Sequence, residues 1–207
     1  MKFEVTILGS SSATPIFNRN PTSQILNVNE KLSMIDCGEG TQMQLAKYKV
    51  KRGRINHIFI SHLHGDHYFG LIGLITSMGL LGREIDLNLY APAPLLELIE
   101  MQLRVADTSL PYKLHFHALE GEGIIAKQEK FQVSCFPVSH RIPCWGFRFE
   151  EVKAPRKVNP EMARAQEVPA IFFDRLKWGE NYTRKDGRVV LNEMVTDPAP
   201  RPKSYAY

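Results

Sequence analysis

Cysteine is scarce in this chain: Cys37, Cys135 and Cys144 are the only three in 207 residues, far apart and without a C-x-x-C pair. An odd count with no framework spacing argues against a disulfide-stapled secreted fold and leaves reduced packing residues. Long apolar runs are missing as well. The longest, from Leu71 to Leu81, is interrupted by Gly73, Thr76, Ser77 and Gly79, too short and too broken to span a bilayer. The amino-terminal MKFEVTILGSSSATP lacks an apolar h-region followed by a small-residue cleavage site, and reads as a strand entering a loop. These absences point to the cytoplasm and to no membrane partner. There is no low-complexity run, no internal repeat and no G-x-S-x-G nucleophile elbow. Charge bias is weak too: a net charge of +4 and a pI near 8.9 permit a polyanionic partner without demanding one.

What is present suffices for one substantial domain with a real core. KFEVTIL, SQILNV and KLSMID alternate as strands, the last two as a hairpin around NEK. CGEGTQMQLAKY opens a helix, and RINHIFIS reads as a buried strand. A helical stretch is expected from Asp66 to about Leu81, and an amphipathic helix in PAPLLELIEMQLRVA with proline in its first turn. EIDLNLYA, KLHFHAL, FQVSCFPVS and WGFRFEE complete the strands. Strands in runs, broken by helices, predict a layered α/β sandwich. Residues 152 to about 200 break the pattern: they are rich in charge and proline, with two short helix-like pieces and a KDG turn. A segment of this size in a compact domain is a functional or mobile one.

The chemistry concentrates in SHLHGDHYFG, residues 61 to 70, where His62, His64, Asp66 and His67 fall within six positions. Two histidines leaving a buried strand two residues apart can turn toward one cation, and the aspartate and histidine that follow can supply an oxygen and a nitrogen to a neighbouring one. Neutral imidazole and carboxylate are ligands that zinc accepts. The alternatives are a solvated polar loop or histidines capping the next helix. His57, inside NHIFI, is expected as a hydrogen-bonded core residue. His115 and His117 share a strand face and imitate an H-x-H pair, but no acidic neighbour accompanies them, so they read as surface histidines. The basic run KYKVKRGR reads as a solvated face, with phosphate contact as the alternative.

SHLHGDHYFG resembles the signature of the metallo-β-lactamase superfamily. MIDCGEGTQMQL before it, ATPIFNRNPTS near the start and VSHRIPCWGFRFEE after it together resemble ribonuclease Z, the zinc endonucleases that remove the 3′ trailer from precursor tRNA. The resemblance implies an α/β metallo-β-lactamase fold, a four-layer αββα sandwich, over residues 1–207, with a tRNA-binding arm inserted at about residues 153–192. It implies two Zn2+ ions per complete site, one held by His62, His64 and His140, the other by Asp66 and His67. Asp66 would also accept a proton in catalysis, and Asp36 would orient the ligands. A hydroxide activated by the metals would attack phosphorus in line, leaving a tRNA 3′-hydroxyl and a 5′-phosphate on the trailer. A homodimer is the family's usual assembly.

The departures from the family are specific. Its P-x-K-x-R-N loop, associated with sensing the CCA end, is here PIFNRN: Pro15, Arg19 and Asn20 stay, while Phe17 replaces lysine and offers a base-stacking ring or a hydrophobic anchor. The Gly-Pro pair of the arm is replaced by Ala170 and Ile171, whereas LKWGE and DGR match; Arg175, Lys177, Arg184, Lys185 and Arg188 are the candidate phosphate contacts. The family's bridging aspartate and a later histidine ligand have no counterpart among the 207 residues. The expectation is therefore a sandwich truncated in its second half and inactive by itself. A small-substrate hydrolase of the same superfamily, or a non-catalytic tRNA-binding protein, are the competing readings. The arm speaks against the first of these.

Overall fold

Alternation along the first strands decides which residues face which layer. In Lys31–Cys37, Met34 belongs to one apolar core and Ile35 to another; in Ile55–Phe59, Ile58 and Phe59 divide the same way. Both faces of these strands are therefore buried, as strands covered on two sides require. The computed structural model describes residues 2–14 and 16–207, so Pro15 of the PIFNRN loop lies outside the described residues.

Two units divide the chain: residues 1–149 with 205–207, and residues 150–204. The first unit is built from β1 (Phe3–Gly9), β2 (Ser23–Val28), β3 (Lys31–Cys37), α1 (Thr41–Lys47), β4 (Ile55–Phe59), α2 (Gly65–Tyr68), α3 (Leu71–Leu80), β5 (Leu87–Ala91), α4 (Pro94–Val105), β6 (Leu114–Ala118), β7 (Gly123–Lys127), β8 (Phe131–Pro137) and β9 (Trp145–Glu151). A six-stranded sheet runs β1-β2-β3-β4-β5-β6. Its first three strands are antiparallel and β3 to β6 are parallel. Leu45 of α1, Leu71, Leu74, Ile75 and Met78 of α3, and Leu95 and Ile99 of α4 cover one face. On the other face, Leu26, Ile35, Phe59 and Tyr90 meet Phe131, Val133, Phe147 and Phe149 of the second sheet, β14-β9-β8-β7, closed by β14 (Ser204–Ala206). Phe59, Phe147 and Phe149 are fully buried, with the Phe147 ring tilted against Phe59 at a centroid distance of 5.4 Å and the Phe149 ring edge-on to it at 5.2 Å; each such side chain contributes about 1.5–3 kcal/mol. Three layers of the expected four are thus present among the described residues.

The expected helix from Asp66 to Leu81 is two helices. The Gly70 N–H bonds the Cys37 carbonyl at 2.9 Å, outside the helical ladder, so the chain is pinned to the end of β3 between α2 and α3. Glycine is required there and at Gly38: a Cβ on Gly70 would lie 2.2 Å from the Gly38 carbonyl oxygen, and one on Gly38 would lie 2.3 Å from that of Asp66. β7 was not expected from the sequence; GIIAK is short, and its strand status comes from pairing with β8. The cysteines are free, as expected. His57 is hydrogen-bonded to Gln128 at 3.1 Å, and burial pushes its pKa down to about 4. The LHFHAL histidines lie at the surface, as expected, but His115 has an acidic neighbour that local sequence does not show: Asp86 lies 2.7 Å from its Nε2, brought there by the parallel strand pairing.

The second unit contains β10 (Lys157–Val158), α5 (Pro160–Ala165), α6 (Phe173–Lys177), β11 (Tyr182–Thr183), β12 (Val189–Val190), α7 (Asn192–Val195) and β13 (Thr196–Asp197). Asn159 caps α5 by accepting from the Glu161 and Met162 N–H groups, with Pro160 at the first helical position. The KDG turn joins β11 to β12, with Gly187 at φ 82°. A small core of its own, Ala163, Val168, Leu176, Val190 and Val195, holds the unit together.

Candidate metal centre

The candidate ligands sit where β3 and β4 end. Asp36, fully buried and held at φ 55°, has the left-handed backbone that aspartate tolerates better than most residues. Its Oδ1 accepts the Ser61 N–H at 2.8 Å, and its Oδ2 accepts the Ser61 hydroxyl at 2.9 Å. The same Oδ2 lies 2.6 Å from His67 Nδ1 and accepts the Tyr207 hydroxyl at 2.7 Å. Tyr207 Oη is also 3.0 Å from Thr22 Oγ1. A carboxylate can only accept, so this network assigns the His67 proton to Nδ1 and leaves Nε2 with a lone pair. Ser61 Oγ, whose proton goes to Asp36, accepts from His62 Nδ1 at 3.0 Å, which likewise frees His62 Nε2.

That freed atom is 3.0 Å from His64 Nδ1, which is 3.2 Å from His140 Nε2. His62, His64 and His140 offer ligand atoms all within 4.8 Å of one another. A tetrahedral site with bonds of about 2.0–2.1 Å has ligand–ligand edges of about 3.3 Å, and the separations at His64 Nδ1, 3.0 and 3.2 Å, are close to that spacing. Asp66 Oδ2 and His67 Nε2, 3.5 Å apart, make a second pair of donors. The charge states suit ligation. Burial, then the neighbouring His67, pushes the His62 pKa down to about 4, and desolvation with the Arg141 charge lowers His64; both are neutral at pH 7, as ligands must be. Burial works to raise the Asp66 carboxyl, but the Ala13 N–H, 2.8 Å from its Oδ2, and the adjacent histidines outweigh it and hold it below its ordinary range.

These groups open onto a cleft of about 520 Å³ lined by Ser12, Ala13, Pro21, Glu39, His62, His64, Gly65, Asp66, His67, Phe69, His140 and Arg141. Arg19 and Asn20 are not among the lining residues. They belong to the turn where Ile16 and Arg19 exchange backbone hydrogen bonds, and the Asn20 carbonyl accepts from Ser11 N–H. Phe17 is 93% exposed at the tip of that turn, which removes the hydrophobic-anchor reading. In the second unit most of the candidate phosphate contacts already have partners: Arg175 with Glu180, Lys177 with Asp174 at 2.8 Å, Arg184 with Glu167, and Arg188 with Asp186 at 3.7 Å. Lys185 carries no ion pair among the described residues. Of the basic run at 47–54, Arg54 pairs with Glu30 at 2.9 Å.

Ser61, Thr22, Ala13, Arg141 and Tyr207 join the site without having been singled out as site residues in the sequence. Ser61 and Arg141 adjoin ligands in the chain, which is a usable signal. The others arrive through strand pairing and loop closure and leave none.

A family profile described as "Anti-Pycsar protein Apyc1" matches residues 3–151. Ribonuclease Z of Bacteroides fragilis is 44% identical over 208 residues, covering all of this chain and 68% of that protein. Its counterpart from Bacteroides thetaiotaomicron is 45% identical, covering all of this chain and 66% of that protein. The chain thus spans about two thirds of the length of these relatives. Among solved structures, the short form of human tRNase Z superposes with a TM-score of 0.65 at 33% identity, over 70% of this chain and 64% of that one. The metallo-β-lactamase fold protein YhfI of Bacillus subtilis, with a TM-score of 0.56 at 20% identity over 70% of this chain and 56% of that one, shares the fold.

Proposed function

The chain belongs to the ribonuclease Z family, and from that premise we propose that it is a zinc-dependent endoribonuclease that removes the 3′ trailer from precursor tRNA, working in the cytoplasm as a homodimer. The observation that carries this reading is the extent of the likeness. The Apyc1 profile stops at Glu151, whereas the ribonuclease Z relatives align through residues 150–204 as well. A hydrolase of small esters, lactams or cyclic phosphodiesters has no need of that basic second unit.

His62, His64 and His140 would hold one zinc, and Asp66 and His67 would contribute to a second. Bound there, the metals supply Lewis acidity and a hydroxide at neutral pH. The chain's own residues do the positioning. Asp36 fixes the His67 ring through Nδ1 and the β4 end through both Ser61 donors, so the ligand atoms are preset before substrate arrives. Asp66, held below its ordinary carboxylate range and steadied by the Ala13 N–H, would take the proton of the attacking water. The exposed Phe69 ring on the cleft wall offers a stacking surface for a base next to the scissile bond. The products are a tRNA 3′-hydroxyl and a trailer 5′-phosphate. Lys185, together with arginines that can exchange internal carboxylates for phosphates, gives the second unit its affinity for the tRNA body.

Replacing His64 or His140 by alanine should abolish trailer cleavage while tRNA affinity, measured by filter binding, stays within a few-fold. Loss of binding together with cleavage in both variants would contradict the division between cleft and second unit.

A further inference from the structure

The cleft has one lysine or arginine among its lining residues, Arg141. It follows His140 directly, its side chain is exposed, and among the described residues it forms no ion pair with a carboxylate. Its hydrogen bond runs from Nε to His64 Nε2, 3.0 Å away. This contrasts with Arg175, Arg184 and Arg188, which all have acidic partners.

A guanidinium beside a cluster of cation ligands works against that cluster unless an anion completes the arrangement. The contact with His64 is also an alternative to ligation. When His64 Nδ1 donates its lone pair to a metal, the ring proton sits on Nε2, which then cannot accept from Arg141. Ligation therefore releases the guanidinium, with its planar fork of donors, into a cleft that holds no second lysine or arginine among its lining residues. A fork of this kind matches the non-bridging oxygens of a phosphodiester.

We propose that Arg141 binds the scissile phosphodiester directly, as a catalytic residue whose hydrogen bonds strengthen while charge builds on the phosphoryl oxygens. The proposal rests on the phosphodiesterase reading above. It also separates two kinds of contact: the second unit serves only a macromolecular substrate, whereas Arg141 serves the reacting group of any phosphodiester.

The test compares zinc-loaded wild type, Arg141→Ala and Arg141→Lys on precursor tRNA and on bis(p-nitrophenyl) phosphate. In parallel, inorganic phosphate is titrated while the arginine Nε–H resonances are followed. Removing one preset donor of this kind lowers kcat by about 10²–10³-fold, so Arg141→Ala should lose about that much on both substrates at unchanged zinc content. Arg141→Lys should recover part of the loss, and added guanidinium should partly rescue the alanine variant. Phosphate should shift the Arg141 resonance. Wild type that hydrolyses bis(p-nitrophenyl) phosphate but leaves precursor tRNA uncut, while phosphate still moves that resonance, would defeat the ribonuclease reading and leave the phosphate site standing. Equal turnover by wild type and Arg141→Ala, above all with tighter zinc binding in the variant, would overturn the proposal and make Arg141 a charge that limits metal uptake. A phosphate titration that leaves the resonance unmoved would overturn it as well.

Discussion

Asp36 concentrates more of the site's order than any ligand does. Two Ser61 donors, His67 and Tyr207 all converge on one fully buried carboxylate with a left-handed backbone. Asp36→Asn keeps the volume and the tolerance for positive φ, but a single carboxylate oxygen cannot become an amide without confronting a donor with a donor. The variant should bind zinc about 10–100-fold more weakly, the range for losing a partner that orients a ligand, as read by competition with a chromophoric chelator. Tyr207→Phe, which removes one of the donors to that carboxylate, should shift the affinity in the same direction by less. Equal zinc affinity in Asp36→Asn and wild type would show that the link from Asp36 through the Ser61 hydroxyl to His62 Nδ1 does not orient His62. The candidate ligands His62, His64, Asp66 and His67 were legible because H-x-H-x-D-H is local: their offsets are set by a few consecutive residues. Thr22 and Tyr207 were not, because strand register and the closing of the second sheet, not spacing, bring them to Asp36.

The second unit is the element on which the proposed action on tRNA turns. Its core of Ala163, Val168, Leu176, Val190 and Val195 is its own. Four of its five candidate phosphate contacts, Arg175, Lys177, Arg184 and Arg188, are paired with acidic residues, so at these positions phosphates must displace carboxylates to bind. Deleting residues 160–188 should therefore depress precursor-tRNA processing far more than hydrolysis of bis(p-nitrophenyl) phosphate, since remote binding energy is available only to the large substrate. Affinity for tRNA should also lose most of its steep salt dependence. Equal loss on both substrates would show the unit to be structural. At this scale the sequence was a good guide to long periodic elements such as α4 and β9, and a poor one to short ones. The two-residue strands β10 to β13 exist by pairing rather than propensity, and the break between α2 and α3 follows from the Gly70 bond to Cys37, a contact 33 positions back that no local pattern encodes.

At the scale of the whole molecule, the described residues offer three candidate nitrogens for one proposed metal position and two candidate donors for the other. Isothermal titration of this polypeptide should show one tightly held zinc per chain and a second, if any, far weaker. Two tight equivalents would show the donor count to be wrong. The tight ion should raise the melting temperature in proportion to the logarithm of its concentration, and EDTA should reverse the rise. The feature behind this is where the three imidazoles come from. His62 and His64 leave the six-stranded sheet, while His140 lies 76 residues beyond His64 on the loop joining β8 to β9 of the other sheet. In an unfolded chain, two neighbouring histidines can chelate zinc locally, but recruiting the third closes that long loop at a cost of about 4–5 kcal/mol of chain entropy. The fold has already brought those ends together, and Trp145 N–H to Ser61 carbonyl, at 3.0 Å, ties the two sheets at the same place. At about 1.4 kcal/mol per factor of ten, the folded chain outcompetes its own unfolded ensemble for the ion by about a thousandfold. That ratio, rather than the affinity itself, limits how far zinc can hold the two sheets closed.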